Sequence, residues 1–173
     1  MQELRLTPTS FIVLGLVELS GEATPYELKQ AAAGSVGNFW SMQHAQFYTE
    51  PERLARAGLL TVEREEGGRR RKRYRLTKAG RAALARWRDE PTKELAELRD
   101  LALLKLFFGA PAGPLAVAQV DAHQRKLAEY EWIREQDTGE GADGPRATLD
   151  AGIAHEREWV RYWKKIGGVS PNA

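Results

Sequence analysis

The stretch LLTVEREEGGRRRKRYRLT (59–77) decides the reading of this chain. Leu60, Val62 and Arg64 alternate before Glu66-Gly67-Gly68, and Lys72, Tyr74 and Leu76 alternate after it. Two alternating runs around a Gly-Gly pair predict a β-hairpin, because alternate side chains of a strand share a face and glycine adopts the backbone angles of a tight turn. The cations Arg69, Arg70, Arg71, Lys72 and Arg73 fall at its tip. Residues 64–88 hold 11 basic and 2 acidic residues, a local charge of +9 in a chain whose net charge is only +2. Such focusing of positive charge points to a polyanionic partner. Glu65 and Glu66 precede the turn and balance part of that charge or face solvent.

Working back from the hairpin, three helices are expected. Thr7-Pro8 opens the first, with proline at a position where a missing N–H costs nothing. Its run FIVLGLVEL is apolar almost all round, as in a buried helix. Thr24 and Glu27, with Pro25 between them, form a capping box for the second, which Gly34 and Gly37 end. Ser41 is expected to cap the third, MQHAQFYTEPERLARAG (42–58), with Phe47, Leu54 and Leu59 toward a core. Pro51 interrupts this helix and predicts a kink or break near Phe47–Glu50. After the hairpin, Thr77 caps a fourth helix, KAGRAALARWRDE, which Pro91 stops.

The remainder reads as helical. ELRDLALLKLFFG (97–109) has Leu98, Leu101, Leu104 and Phe108 at helical spacing, with Lys105 as a side chain reaching to water from an apolar helix edge. Val117, Val120, Leu127 and Tyr130 recur at three- and four-residue steps within 115–137. After the Gly-rich connector 138–145, Leu149, Ile153, Glu156, Val160, Trp163 and Ile166 do the same within 146–166. Two long helices with a short connector predict an antiparallel helical hairpin.

The fold class is therefore mainly α with a small two-stranded β-hairpin. Residues 1–92 form a winged helix-turn-helix domain and residues 93–173 a C-terminal helical dimerisation domain, with a net charge of +4 for the first and −2 for the second. In a winged helix the third helix enters the major groove and the hairpin follows the DNA backbone or minor groove. The candidate DNA-contacting residues are Ser41, Gln43, His44, Gln46 and Tyr48 at the start of the third helix, Tyr26 on the second, and Arg69, Arg70, Arg71, Lys72 and Arg73 on the wing. Gln bonds bidentately to adenine, Ser and His meet several base edges, Tyr suits phosphate or sugar, and guanidinium forks grip phosphate.

The stretch 7–88 resembles the PadR family of transcriptional regulators. The resemblance is carried by LGLVELSGEATPYELKQ (14–30), WSMQHAQFY (40–48), ERLARAGLL (52–60) and KRYRLTKAGRAAL (72–84). The family pattern has an aromatic before the recognition helix, a Tyr inside it, Leu-x-x-x-Gly-Leu at its exit and Tyr-x-Leu-Thr-x-x-Gly leaving the wing. This chain has Trp40, Tyr48, Leu54 to Gly58-Leu59 and Tyr74 to Gly80, and departs at Pro51, where leucine is commoner. ELRDLALLKLFFG (97–109) looks like the start of the longer C-terminal domain of one branch of that family. The resemblance implies a homodimeric repressor on a palindromic operator in double-stranded DNA, released by a small molecule.

A dimer is also expected from the residues. The last two helices offer Val120, Leu127, Tyr130, Leu149, Ile153, Val160 and Trp163, more apolar surface than two helices bury alone. Trp87, Trp132 and Trp159 could instead line an effector pocket, together with Tyr130, Tyr162 and Trp163; dimer core is the preferred use of these aromatics. His123 and His155, with Glu156 and Glu158 nearby, are surface or interface histidines in preference to a metal site, and no cofactor is expected. No nucleophile triad, phosphate loop or HExxH motif is present, so an enzyme is not expected. Zero cysteines exclude disulfides and thiolate chemistry. The start MQELRLTPTS lacks a secretory pattern and no apolar run approaches the roughly twenty residues of a membrane span, so cytoplasm is expected. Two other readings remain open: a winged-helix adaptor for protein partners, and a non-specific architectural DNA-binding protein.

Overall fold

The structure, a computed structural model, describes residues 5–64, 71–139 and 142–168. It divides into two units, residues 1–94 and 95–173.

The first unit is built around α1 (Pro8–Ser20). Val13, Leu14 and Val17 of this helix are fully buried, and α2 (Pro25–Ala33), α3 (Gln46–Arg56) and α4 (Lys78–Asp89) pack around it. Leu28, Ala32, Phe47, Leu54, Leu60, Tyr74, Leu76, Ala83 and Leu84 complete one core. The capping box closes as expected: the Thr24 amide donates to Glu27 Oε2 at 2.7 Å and the Glu27 amide to Thr24 Oγ1 at 3.3 Å. Thr77 caps α4 by accepting from the Gly80 amide at 3.0 Å, while its own hydroxyl donates to the Gly58 carbonyl at 2.7 Å.

The hairpin forms from β2 (Leu60–Arg64) and β3 (Lys72–Leu76), with Leu60 opposite Leu76, Val62 opposite Tyr74 and Arg64 opposite Lys72. Its turn, residues 65–70, lies outside the described residues. The sheet has one strand more than expected. β1 (Glu22–Ala23) pairs with the other side of β3, Glu22 against Arg75 and Ala23 against Tyr74, giving the order β1-β3-β2. Two residues are too few to show an alternating pattern, so the strand is invisible in the sequence.

The third helix also differs. It begins at Gln46, with Ala45 rather than Ser41 at the cap position. The chain enters it through a tight turn in which the Gln46 amide donates to the Gln43 carbonyl at 2.9 Å, and the Gln43 amide donates to the Gln46 side-chain oxygen at 2.8 Å. Gln46 thereby supplies the reach-back contact expected of a capping residue, and helical bonding starts five residues later than Ser41. The break expected near Phe47–Glu50 is absent, and α3 runs through Pro51. Pro51 deprives the Phe47 carbonyl of its intrahelical donor, but its ring is fully buried and takes the place of a core side chain. Arg53 ties this helix to α1: its guanidinium donates to both Glu50 carboxylate oxygens, at 2.9 and 2.6 Å, and to Ser10 Oγ at 2.9 Å.

In the second unit α5 (Leu101–Phe107) is shorter than expected. Asp100 caps it by accepting from the amides of Ala102 and Leu103 at 2.7 and 3.0 Å, which leaves Leu98 outside the helix. α6 (Ala112–Glu135) and α7 (Asp143–Gly167) pack as an antiparallel pair. His123 meets Glu156, and the Tyr130 ring lies against Gly152, where an added Cβ would stand 3.1 Å from it. Both helices start about a turn before the expected positions, because Pro114 and Pro145 fall within first turns, where no amide is needed. Ala102, Ala116 and Trp163 form the buried centre of this unit, with Leu103, Leu106, Val120, Trp159 and Ile166 against it.

Candidate nucleic-acid interface

Ser41, Gln43, His44 and Tyr48 are exposed at the entry to α3, and Gln46 is half-buried because its side chain turns back onto the Gln43 amide. Tyr48, one turn beyond His44, holds its ring 5.3 Å from the imidazole. Tyr26 is exposed on α2 and its hydroxyl accepts from Gln30 Nε2 at 2.8 Å. Phe39 and Trp40, just before this segment, are also exposed, and the sequence reading assigned them no contact role. Of the candidate DNA-contacting residues of this segment, Gln46 and Tyr48 lie on the helix, whereas Ser41, Gln43 and His44 lie before it.

The wing cations divide into two groups. Arg69 and Arg70 lie outside the described residues, and Arg71 is exposed. The cations on β3 already have carboxylates. Lys72 Nζ donates to Glu52 on α3. Arg73 lies 3.3 Å from Glu22 Oε1 and 3.8 Å from Glu27 Oε2. Arg75 donates to Glu22 through Nε at 2.5 Å and lies 3.6 Å from Glu63. These counter-ions come from positions 12 to 53 residues away and leave no mark in a local charge count. The Thr24 amide, more than any other group, holds the Glu27 carboxyl below the ordinary range; burial opposes it, and the charges of Arg73 and Arg71 add to it.

The second unit uses several of its candidate side chains internally. Trp163 is fully buried, and Tyr130 and Ile153 nearly so, while Val120, Leu127, Leu149 and Val160 are half-buried. Leu101, Leu104, Phe107, Phe108, Val117 and Trp132 remain exposed, Phe107 at 83% and Phe108 at 78%. Trp159 sits among rings: His123 stacks on it at 5.9 Å, Tyr162 meets it edge-on at 5.5 Å, and its Nε1 donates to His155 Nε2 at 2.8 Å. His123 Nδ1 is 2.5 Å from the buried Glu156 carboxylate. Both histidines are thus engaged in contacts between side chains, and no group of three or more metal-binding residues occurs among the described residues. Trp87 belongs to the first unit and stacks on Phe11 at 4.7 Å. Among the described residues no helix is long and apolar enough to cross a membrane.

A three-helix core with a basic hairpin and an exposed polar entry to its third helix is a winged-helix fold. Residues 13–86 match the model of the transcriptional regulator PadR-like family, and residues 98–166 match that of the virulence activator alpha C-terminal domain. The negative transcriptional regulator PadR of Bacillus subtilis (strain 168) is 29% identical over 130 residues, covering 70% of each chain. The crystal structure of Bacillus subtilis PadR in complex with operator DNA superposes with a TM-score of 0.81 at 24% identity, over 92% of this chain and 96% of that one. The same protein in complex with p-coumaric acid gives a TM-score of 0.76 at 22% identity, again over 92% and 96%. Through residues 13–86 the chain is similar to the PadR-like family of transcriptional regulators.

Proposed function

We propose that this protein is a sequence-specific binder of double-stranded DNA, acting in the cytoplasm as a homodimeric repressor on a palindromic operator. Residues 1–92 bind DNA and residues 93–173 dimerise. The observation that carries this reading is the exposure of Gln43, His44 and Tyr48 in the same unit as the cationic hairpin. Ser41, Gln43 and His44 address base edges, Tyr48 addresses the sugar–phosphate backbone, and Arg69, Arg70 and Arg71 supply most of the salt-sensitive attraction. The curated relative is named a negative regulator, which supports repression. Its capture with p-coumaric acid supports release by a small molecule. Two-fold symmetry would set the recognition elements about one DNA turn apart, roughly 34–36 Å.

Dimerisation is supported by the apolar side chains that the second unit leaves exposed on α5 and α6. For the effector, the rings around Trp159 are the favoured element of the second unit, and Trp132 is a further exposed candidate. Trp87 is a weaker candidate, since Phe11 already covers one of its faces.

Selection of duplexes from a randomised pool tests the reading. The wild-type protein should enrich one palindromic motif, and Gln43→Ala should relax preference at particular positions of it. Arg70→Ala and Arg71→Ala should weaken binding to all sequences and flatten its salt dependence by about one ion each. Salt-dependent binding with no enriched motif would mark a non-specific architectural protein instead. Absence of any DNA binding would favour an adaptor.

A further inference from the structure

The two faces of the hairpin carry separate sets of charges. On the outer face Glu63 lies opposite Arg73, and Glu22 on β1 lies opposite Arg75, so unlike charges meet. The inner face begins with the apolar rungs Leu60–Leu76 and Val62–Tyr74 and ends with Arg64 opposite Lys72. Like charges directly across an antiparallel pair repel and loosen the ladder. This rung is the last one described before residues 65–70.

Among the described residues one carboxylate meets that rung. Glu52, on the second half of α3, accepts from Lys72 Nζ. The hydrogen bond and charge of Lys72 hold the Glu52 carboxyl below its ordinary range against a small opposing effect of burial, and the charges of Arg56 and Arg64 add to the lowering. Glu52 therefore joins the helix that follows the base-reading segment to strand β3 of the wing.

The geometry points to Glu52 as a positioning residue for DNA recognition, one that locks the wing to the recognition helix and, in doing so, holds Lys72 back from the phosphates. The inference rests on the DNA-binding reading above. With the two elements locked, base contacts and backbone contacts must be made in one register. Once Glu52 is neutral, the wing can grip any phosphate track, and Lys72 becomes an additional phosphate contact. Glu52 thus lowers indiscriminate affinity and raises discrimination, two effects that a purely structural role would not separate.

The test compares wild type, Glu52→Gln and Lys72→Gln on two duplexes: the motif that wild type enriches and a scrambled version of it. Glu52→Gln should bind the scrambled duplex more tightly, with a salt dependence steeper by about one ion. Its preference for the motif should fall roughly threefold or more. Lys72→Gln should lose preference to a similar degree but gain no affinity for the scrambled duplex, since it leaves Glu52 as an unpaired anion; it also serves should Glu52→Gln fold poorly. The inference is overturned if Glu52→Gln keeps the wild-type preference and salt slope, or if it weakens both duplexes equally. It is likewise overturned if Lys72→Gln keeps the wild-type preference for the motif. Failure of wild type to prefer any motif is read separately, from wild type alone, and removes the DNA-binding reading as well.

Discussion

Gly80, in the first turn of α4, backs directly onto the Leu59 carbonyl: a Cβ at this position would stand 2.1 Å from that oxygen and 3.0 Å from Leu76 Cδ2. The helix that follows the wing is thereby pressed against the strand that begins it. Alanine would gain up to about 1 kcal/mol of helix propensity over glycine. Overpacking against backbone, which cannot rotate aside, costs about 1–3 kcal/mol and outweighs that gain. Gly80→Ala should lower stability, read as a lower urea midpoint with an unchanged slope; an unchanged midpoint would contradict the close approach.

Acid should destabilise the first unit through its depressed carboxyls. Glu27 is lowered chiefly by the Thr24 amide and Glu52 chiefly by Lys72; at Glu50 hydrogen bonds from Arg53 and Ser10 outweigh the raising effect of burial. Groups lowered in the folded state contribute stability above their unfolded value, about 4.3 for glutamate, and lose it as pH falls through the folded value. The melting temperature should therefore stay nearly level from pH 7 to about pH 5 and fall below about pH 4. Glu27→Gln should make the acid fall shallower, and a melting curve that declines just as steeply would remove Glu27 from this account.

His123 and Glu156 present a second stability test. Removing the imidazole strands a buried carboxylate between α6 and α7, for which about 3 kcal/mol is the expected cost. Glu156→Gln retains an acceptor for the imidazole and should cost less. Urea unfolding of the two variants checks the order; equal losses would show that packing of the rings, and not the pair, matters here.

The exposed phenylalanines of α5 test the assembly. Phe107→Glu combined with Phe108→Glu should raise the dimer dissociation constant roughly tenfold or more in sedimentation equilibrium, if a partner covers these rings. An unaltered association state would move the dimer contact to another face.

How legible the chain was depends on how far apart the interacting residues lie. The Thr24–Glu27 box and the Thr77 cap act over three residues, and both formed where the spacing placed them. The hairpin formed from the two alternating runs on either side of Gly67-Gly68, while its register, Arg64 facing Lys72, is not set by that alternation alone. The start of α3 was misread because Ser41 has the right chemistry for a cap, whereas the bond that orders the turn comes from Gln46, a residue with no such signature. β1 was missed because two residues carry no period, and its pairing is set by a strand some fifty positions away. The counter-ions of Lys72, Arg73 and Arg75 were missed for the same reason: a cluster of arginines advertises its charge, but not the carboxylates that the fold will bring to it.

The late start of α3 has a thermodynamic consequence. Ser41, Gln43 and His44 sit in a turn held by few backbone hydrogen bonds, so they can rearrange cheaply when a groove closes over them. Association would then include a small folding event, extending the helix backward by up to a turn. A calorimeter would register it as an enthalpy more favourable, and an entropy more costly, than the docked surface alone accounts for. Discrimination would be bought from the chain's own freedom, and a sequence that fails to order the turn would be left with the wing's attraction alone.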